Sequence, residues 1–126
     1  MSIIVTQQWG YKMKALSIKQ PHIHRILEGL KIYEIRSWKT SYRGEILLCA
    51  SKQTAKGCEE GMITGHALGI ADIIDIVPYE PHMSDKAMAD YTPGQYAWVL
   101  GSVKKIKPFP IVGQLGLFEV TVSDQI

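Results

Sequence analysis

The hydrophobic and polar positions of this 126-residue chain change period several times, and each change predicts an element. Residues 1–12 are polar without a sustained period and read as an N-terminal extension, so the domain is expected over 13–126. Ala15–Ile18 predicts a short strand. Gln20-Pro21 then opens a helix with Pro in its first turn, where the missing N–H has no intrahelical partner to lose. Ile23, Ile26, Leu27 and Leu30 carry the three-and-four spacing of one buried helix face. Gly29 marks the helix end, and β-branched and aromatic residues predict a strand over about 31–39.

After a turn at Thr40–Gly44 the apolar run Glu45–Ser51 predicts another strand, followed by a Gly-containing loop over 53–65. His66–Pro78 is strand-like, with a slip in alternation at Asp72–Ile74 that predicts a bulge. Residues 79–94 form an irregular connection with a short helical turn. Gln95–Val103 and Gly116–Val122 supply the last strands, divided by Lys107-Pro108-Phe109-Pro110. Trp98 and Phe118 sit among apolar strand neighbours and are expected in the core. The pattern is mostly β (α+β): a small β-barrel of five to six strands, one clear helix and one or two short helical turns.

Composition narrows the class only a little. Hydrophobic residues at 46% and charged residues at 21% suit one ordinary globular domain, and no apolar run approaches the length of a membrane span. Two cysteines without metal-ligand spacing point to reduced thiols and a cytoplasmic location. His22 and His24 are two apart on a helix and share no face, so no metal is expected, nor any cofactor. Charge is more informative. Residues 12–56 hold ten Lys/Arg against three Glu, net +7, whereas residues 57–126 hold four Lys against nine Asp/Glu, net −5. Folding such halves together gives a polarised surface, and its basic part attracts polyanions.

The charges that matter most lie in Glu28-Gly29-Leu30-Lys31-Ile32-Tyr33-Glu34-Ile35-Arg36-Ser37-Trp38. Burying a charge in an apolar strand is costly unless it is paired or faces a cleft, so Lys31, Glu34 and Arg36 are candidate functional residues. On a regular strand Glu34 and Arg36 share a face and Lys31 takes the other; Lys31 joins them only from the turn or across a bulge, and a tight entry turn at Gly29 puts it at the expected mouth of the cleft. Tyr33, Trp38 and Tyr42 interleave with Lys39, Arg43 and Lys52, a combination of stacking rings and phosphate-seeking cations suited to unpaired bases. A Glu34–Arg36 pair that merely closes one end of the barrel explains the same charges without function.

Gly29-x-Lys31-x-x-Glu34-x-Arg36-x-Trp38 resembles the signature of ASCH domains, relatives of the PUA fold. Ala15–Pro21, Tyr42-Arg43-Gly44 with Ala50-Ser51-Lys52, Gly69–Asp72, Tyr96–Leu100, Lys107–Pro110 and Gly113–Phe118 resemble the family's other blocks in order, over essentially all of residues 13–122. The resemblance implies a PUA-like β-barrel whose signature residues line a cleft, and a role with RNA or a nucleoside. One branch resembles amidohydrolases of acetylated cytidine, in which a Thr nucleophile follows the Lys by three residues. Here that position is Glu34, and a carboxylate changes the chemistry. The expected function is therefore binding of single-stranded RNA or a nucleoside through Lys31, Tyr33, Glu34, Arg36, Trp38, Lys39, Tyr42, Arg43 and Lys52. A hydrolase, either a ribonuclease or amidohydrolase-like, is the alternative, with Lys31 as base or electrostatic stabiliser and Glu34 as general acid/base. A protein-interaction module is the third reading.

Overall fold

The computed structural model of the chain describes residues 10–123. Six strands, β1 (Gly10–Gln20), β2 (Tyr33–Arg36), β3 (Gly44–Thr54), β4 (His66–Pro78), β5 (Tyr96–Pro110) and β6 (Leu117–Ser123), form one sheet in the order β2-β5-β4-β3-β1-β6. Helix α1 (His22–Leu27) follows β1, and a 3₁₀ turn (Pro81–Met83) leads into helix α2 (Ser84–Ala87). All strand pairs are antiparallel except β1–β3, which is parallel. The expected barrel is corrected in one respect: among the described residues β2 and β6 are not hydrogen-bonded to each other, so the fold is mostly β but the sheet stays open.

Alternation along the central strands fills both faces of this sheet. Leu16, Ile18, Ile46, Leu48, Ala71, Ile73, Trp98 and Leu100 pack on one side with Ile23 and Ile26 of α1. Met13, Ala15, Leu47, Cys49, Ala67, Ile70, Phe118 and Val122 pack on the other. Trp98 is fully buried and Phe118 nearly so, and the Trp98 indole N–H donates to the Trp38 carbonyl at 3.2 Å. Burial pushes the Cys49 thiol up to about 12; it is packing, not chemistry.

Strand β1 begins at Gly10, ahead of the boundary expected at Met13, and pairs Lys12 with Thr121 of β6. Residues 1–9 lie outside the described residues. Strand β4 occupies His66–Pro78, and the expected slip falls where its register against β5 shifts between Ile73 and Asp75.

Two expectations are overturned. Strand β5 runs through Lys107-Pro108-Phe109-Pro110 rather than ending before it. Strand β2 covers β5 only as far as Val99, so the later prolines stand on an edge, where a missing N–H forfeits no ladder bond. Leu30, expected on the buried helix face, is 58% exposed. Helix α1 stops first: Gly29 turns left-handed at φ 78°, its N–H donates to Ile26 O at 3.0 Å, and Leu30 N–H donates to Arg25 O at 2.9 Å. This is a Schellman closure, which throws the next residue off the helix.

Candidate functional site

The same helix closure positions the signature. Lys31 leaves the turn with its own N–H on Arg25 O at 3.1 Å, and Ile32 N–H donates to Lys86 O at 2.9 Å. This ties the start of β2 to α2. Lys31 is only 3% exposed, and its ammonium donates to the Ala87 carbonyl at the end of α2. Burial lowers its pKa, with Arg25 and Arg36 adding to the effect and Glu34 opposing it. The expected place at the mouth of the cleft is thus corrected: Lys31 is an internal cation committed to a backbone carbonyl.

From β2 onward alternation decides. Tyr33 and Ile35 pack with Tyr79, Met83, Ala87 and Ala97, while Glu34 and Arg36 share the opposite phase. Arg36 Nε donates to Glu34 Oε2 at 3.0 Å, and a second guanidinium nitrogen donates to the Ser17 carbonyl of β1 at 2.7 Å. The Glu34 side chain is 8% exposed and that of Arg36 22%. The expected Glu34–Arg36 pair therefore exists, and it bridges the sheet's edge strand β2 to β1.

Beside this pair lies a cavity of about 640 Å³. Its walls include Ser17 and Lys19 of β1, His22 of α1, Glu34, Arg36 and Trp38 around β2, Lys52 of β3, and the 112–116 segment joining β5 to β6. The backbone of that segment comes so close that a Cβ on Gly113 would collide with Ser17 Oγ. Two of its lining residues hold a buried polar atom with no hydrogen-bond partner among the described residues: Ser17 Oγ and His22 Nδ1. Native structures leave few such groups unpaired, because each forfeits its interaction with water. Burial and then the nearby Lys31 ammonium push His22 below the usual imidazole value, with Glu34 pulling the other way. The ring is consequently neutral near pH 7 and offers one nitrogen as donor and the other as acceptor.

Of the residues expected at the site, Glu34, Arg36, Trp38 and Lys52 line the cavity; Lys31, Tyr33, Lys39, Tyr42 and Arg43 do not. Lys39 lies 5.4 Å from the Tyr96 ring centre. The Tyr42 hydroxyl donates to Glu45 O at 2.6 Å, and its ring packs on the core. Arg43 pairs with Asp75 at 3.5 Å and donates to the Thr40 and Tyr42 carbonyls. Trp38 meets Trp98 edge-on, with centroids 4.8 Å apart, so its ring is shared between core and cleft. Ser17, Lys19, His22 and the 112–116 segment were missed. One signal was present: Ser17 is a polar residue in the inward phase of Met13 and Ala15. Among the described residues no group of three or more His, Cys, Asp or Glu is arranged to hold a metal, and no helix is long and apolar enough to cross a membrane.

This mostly β fold, with the signature strand pinned over a polar cleft, has counterparts among known proteins. The ASCH domain family model matches residues 16–110. The chain belongs to the ASCH domain family, which is generally proposed to bind RNA. The crystal structure of ASCH from Zymomonas mobilis is similar, with a TM-score of 0.64 and 14% identity over 89% of this chain and 88% of that one. A tyrosine-to-phenylalanine mutant of the same bacterial protein is similar at a TM-score of 0.60 and 14% identity, over 88% of this chain and 90% of that one. At such identity the likeness is one of fold. No curated protein matches the chain significantly.

Proposed function

We propose that this chain binds an unpaired base of single-stranded RNA, or the corresponding nucleoside, in the cavity between β1, β2 and the 112–116 segment. The observation that carries this reading is the set of polar side chains on one cavity: the Glu34–Arg36 pair with Ser17 and His22, the last two each holding a buried polar atom that has no hydrogen-bond partner among the described residues. A base edge supplies alternating donors and acceptors, which such groups can satisfy in one plane, and selectivity follows because a wrong edge leaves them unpaired. Lys19 and Lys52 at the rim are exposed and form no ion pair among the described residues, so they are free to draw in phosphate. Basic residues concentrated in 12–56 support the same polarity. Two free cysteines support a reducing, cytoplasmic setting.

Hydrolysis is the second reading, and a specific observation moves its base. Lys31 is buried on Ala87 O away from the cavity wall, whereas His22 is neutral near pH 7 and lines the cavity beside Glu34. Any proton transfer in this cleft is assigned to His22 rather than Lys31.

The test is calorimetric titration with the four ribonucleosides and with short single-stranded RNAs. Selective, saturable binding that Ser17→Ala and Glu34→Gln each weaken by about tenfold, the loss of one well-placed bond, is expected. Absence of binding in the wild type, or binding that ignores both substitutions, would overturn the assignment. Incubation of the bound RNA with wild type and His22→Gln decides the second reading: cleavage abolished by the substitution supports it, and intact RNA removes it.

A further inference from the structure

His22 lines two cavities, not one. The second is a depression of about 650 Å³ walled by Arg25 and His22 of α1, Ala55 and Lys56 after β3, and residues between Ser84 and Tyr91 around and beyond α2. Arg25 is half-buried and forms no ion pair among the described residues, and its guanidinium is held close to the 55–58 loop: a Cβ on Gly57 would sit 3.4 Å from it. Lys56 is exposed and equally unpaired. Tyr91 is 40% exposed, and its ring rests against Tyr79 at a tilt of 50°, with centroids 5.5 Å apart, which leaves ring surface open for a ligand to stack on.

The charges around the shared wall are unbalanced. His22 feels Lys31, Arg25 and Arg36 as cations and Glu34 as the one carboxylate. Asp85 and Asp90 also border the second depression. They disfavour phosphate at that side, and carboxylates there suit ribose hydroxyls or an exocyclic amine instead. A ligand whose single negative charge sits at the junction, with uncharged hydrogen-bonding groups on both sides, matches this distribution.

We propose that the second depression is a nucleotide subsite: the ligand is an RNA of at least two residues, one base in the first cavity, the phosphodiester at His22 and Arg25, and the next nucleoside against Tyr91. This deepens the RNA reading and rests on it. A lone nucleoside then uses only half of the site. The phosphate bond to Arg25 adds affinity through charge, and Tyr91 adds it through stacking.

The experiment compares uridine with UpU, and adenosine with ApA, on wild type, Arg25→Gln, Lys56→Gln and Tyr91→Ala. Wild type is expected to bind at least one dinucleoside monophosphate about tenfold or more tightly than its nucleoside. The difference should shrink as salt rises, because the added contact is between opposite charges that salt screens. Arg25→Gln and Tyr91→Ala should each remove most of that gain and leave nucleoside binding unchanged. Should Arg25→Gln lower the melting temperature, the exposed Lys56 and Tyr91 variants carry the comparison. Equal affinity for nucleoside and dinucleoside monophosphate, or a gain that survives both Arg25→Gln and Tyr91→Ala, would overturn the second subsite and leave the first standing. If wild type binds none of the four, both fall.

Discussion

Replacing Glu34 by Gln keeps the shape of the pair that joins β2 to β1 and removes its negative charge. Arg36 Nε then meets a neutral oxygen in place of Oε2 at 3.0 Å. A charge-assisted bond is worth about 1.5–3 kcal/mol net and a neutral one about 0.5–1.5, so the exchange alone costs ~1 kcal/mol. Breaking a fully buried pair costs about 3–5 kcal/mol, but Arg36 retains the Ser17 carbonyl and its side chain is 22% exposed, which relieves most of that penalty. Glu34 is also the carboxylate that offsets the buried Lys31 ammonium. The expected loss is ~1–2 kcal/mol, or roughly 3–10 °C in melting temperature for a domain of this size. Thermal melts of Glu34→Gln, Arg36→Gln and the double variant measure it, and the cycle should show coupling of about 1 kcal/mol. Unchanged melting in Glu34→Gln, or strict additivity, would refute the energetic reasoning. Lost stability with ligand affinity fully retained would show instead that the pair is architecture only.

Trp98→Ala removes a fully buried ring and leaves the Trp38 carbonyl without its donor; denaturant melts should show a loss of ~3–5 kcal/mol. His22 has a lower pKa folded than unfolded, so the unfolded chain binds its proton first as pH falls. Its contribution is intact above about 6.5, the unfolded value, and declines as pH drops through and below it; melts of wild type minus His22→Gln between about pH 5 and 8 should show this difference, and a flat difference would contradict it. Lys52→Ala should weaken RNA binding by about two- to fivefold at low salt and less at high salt, whereas Arg43→Ala, already paired with Asp75 and away from the cavity, should leave affinity unchanged in the same titrations.

What could be read from the chain and what could not have separate physical causes. Gly29 announced the helix end because a left-handed residue there is a local requirement, and Trp98 and Phe118 announced the core through their immediate apolar neighbours. Charges within a strand announced Glu34 and Arg36, since burial without a partner is costly at any strand position. Lys31 was legible as unusual but not as buried: its partner is the Ala87 carbonyl, 56 residues away, brought up by a connection with no regular period. The side of the cleft built by β1 and α1 rests on Ser17, Lys19 and His22, residue types that sequence position alone seldom singles out. Arg43 and Tyr42 satisfied a compositional pattern, yet their bonds are local to their own turn. The 112–116 segment reaches Ser17 only because β6 pairs with β1, a contact of sequence separation near the length of the domain.

The claim that Ser17 Oγ and His22 Nδ1 await a ligand is tested most directly by the ¹⁵N NMR signals of the His22 ring, recorded while short single-stranded RNA is titrated into the protein at neutral pH. The expected result is a saturable shift of the Nδ1 resonance as that nitrogen gains a hydrogen-bond partner, lost in parallel with binding in Glu34→Gln. RNA that binds while the His22 ring signals stay in place would contradict it.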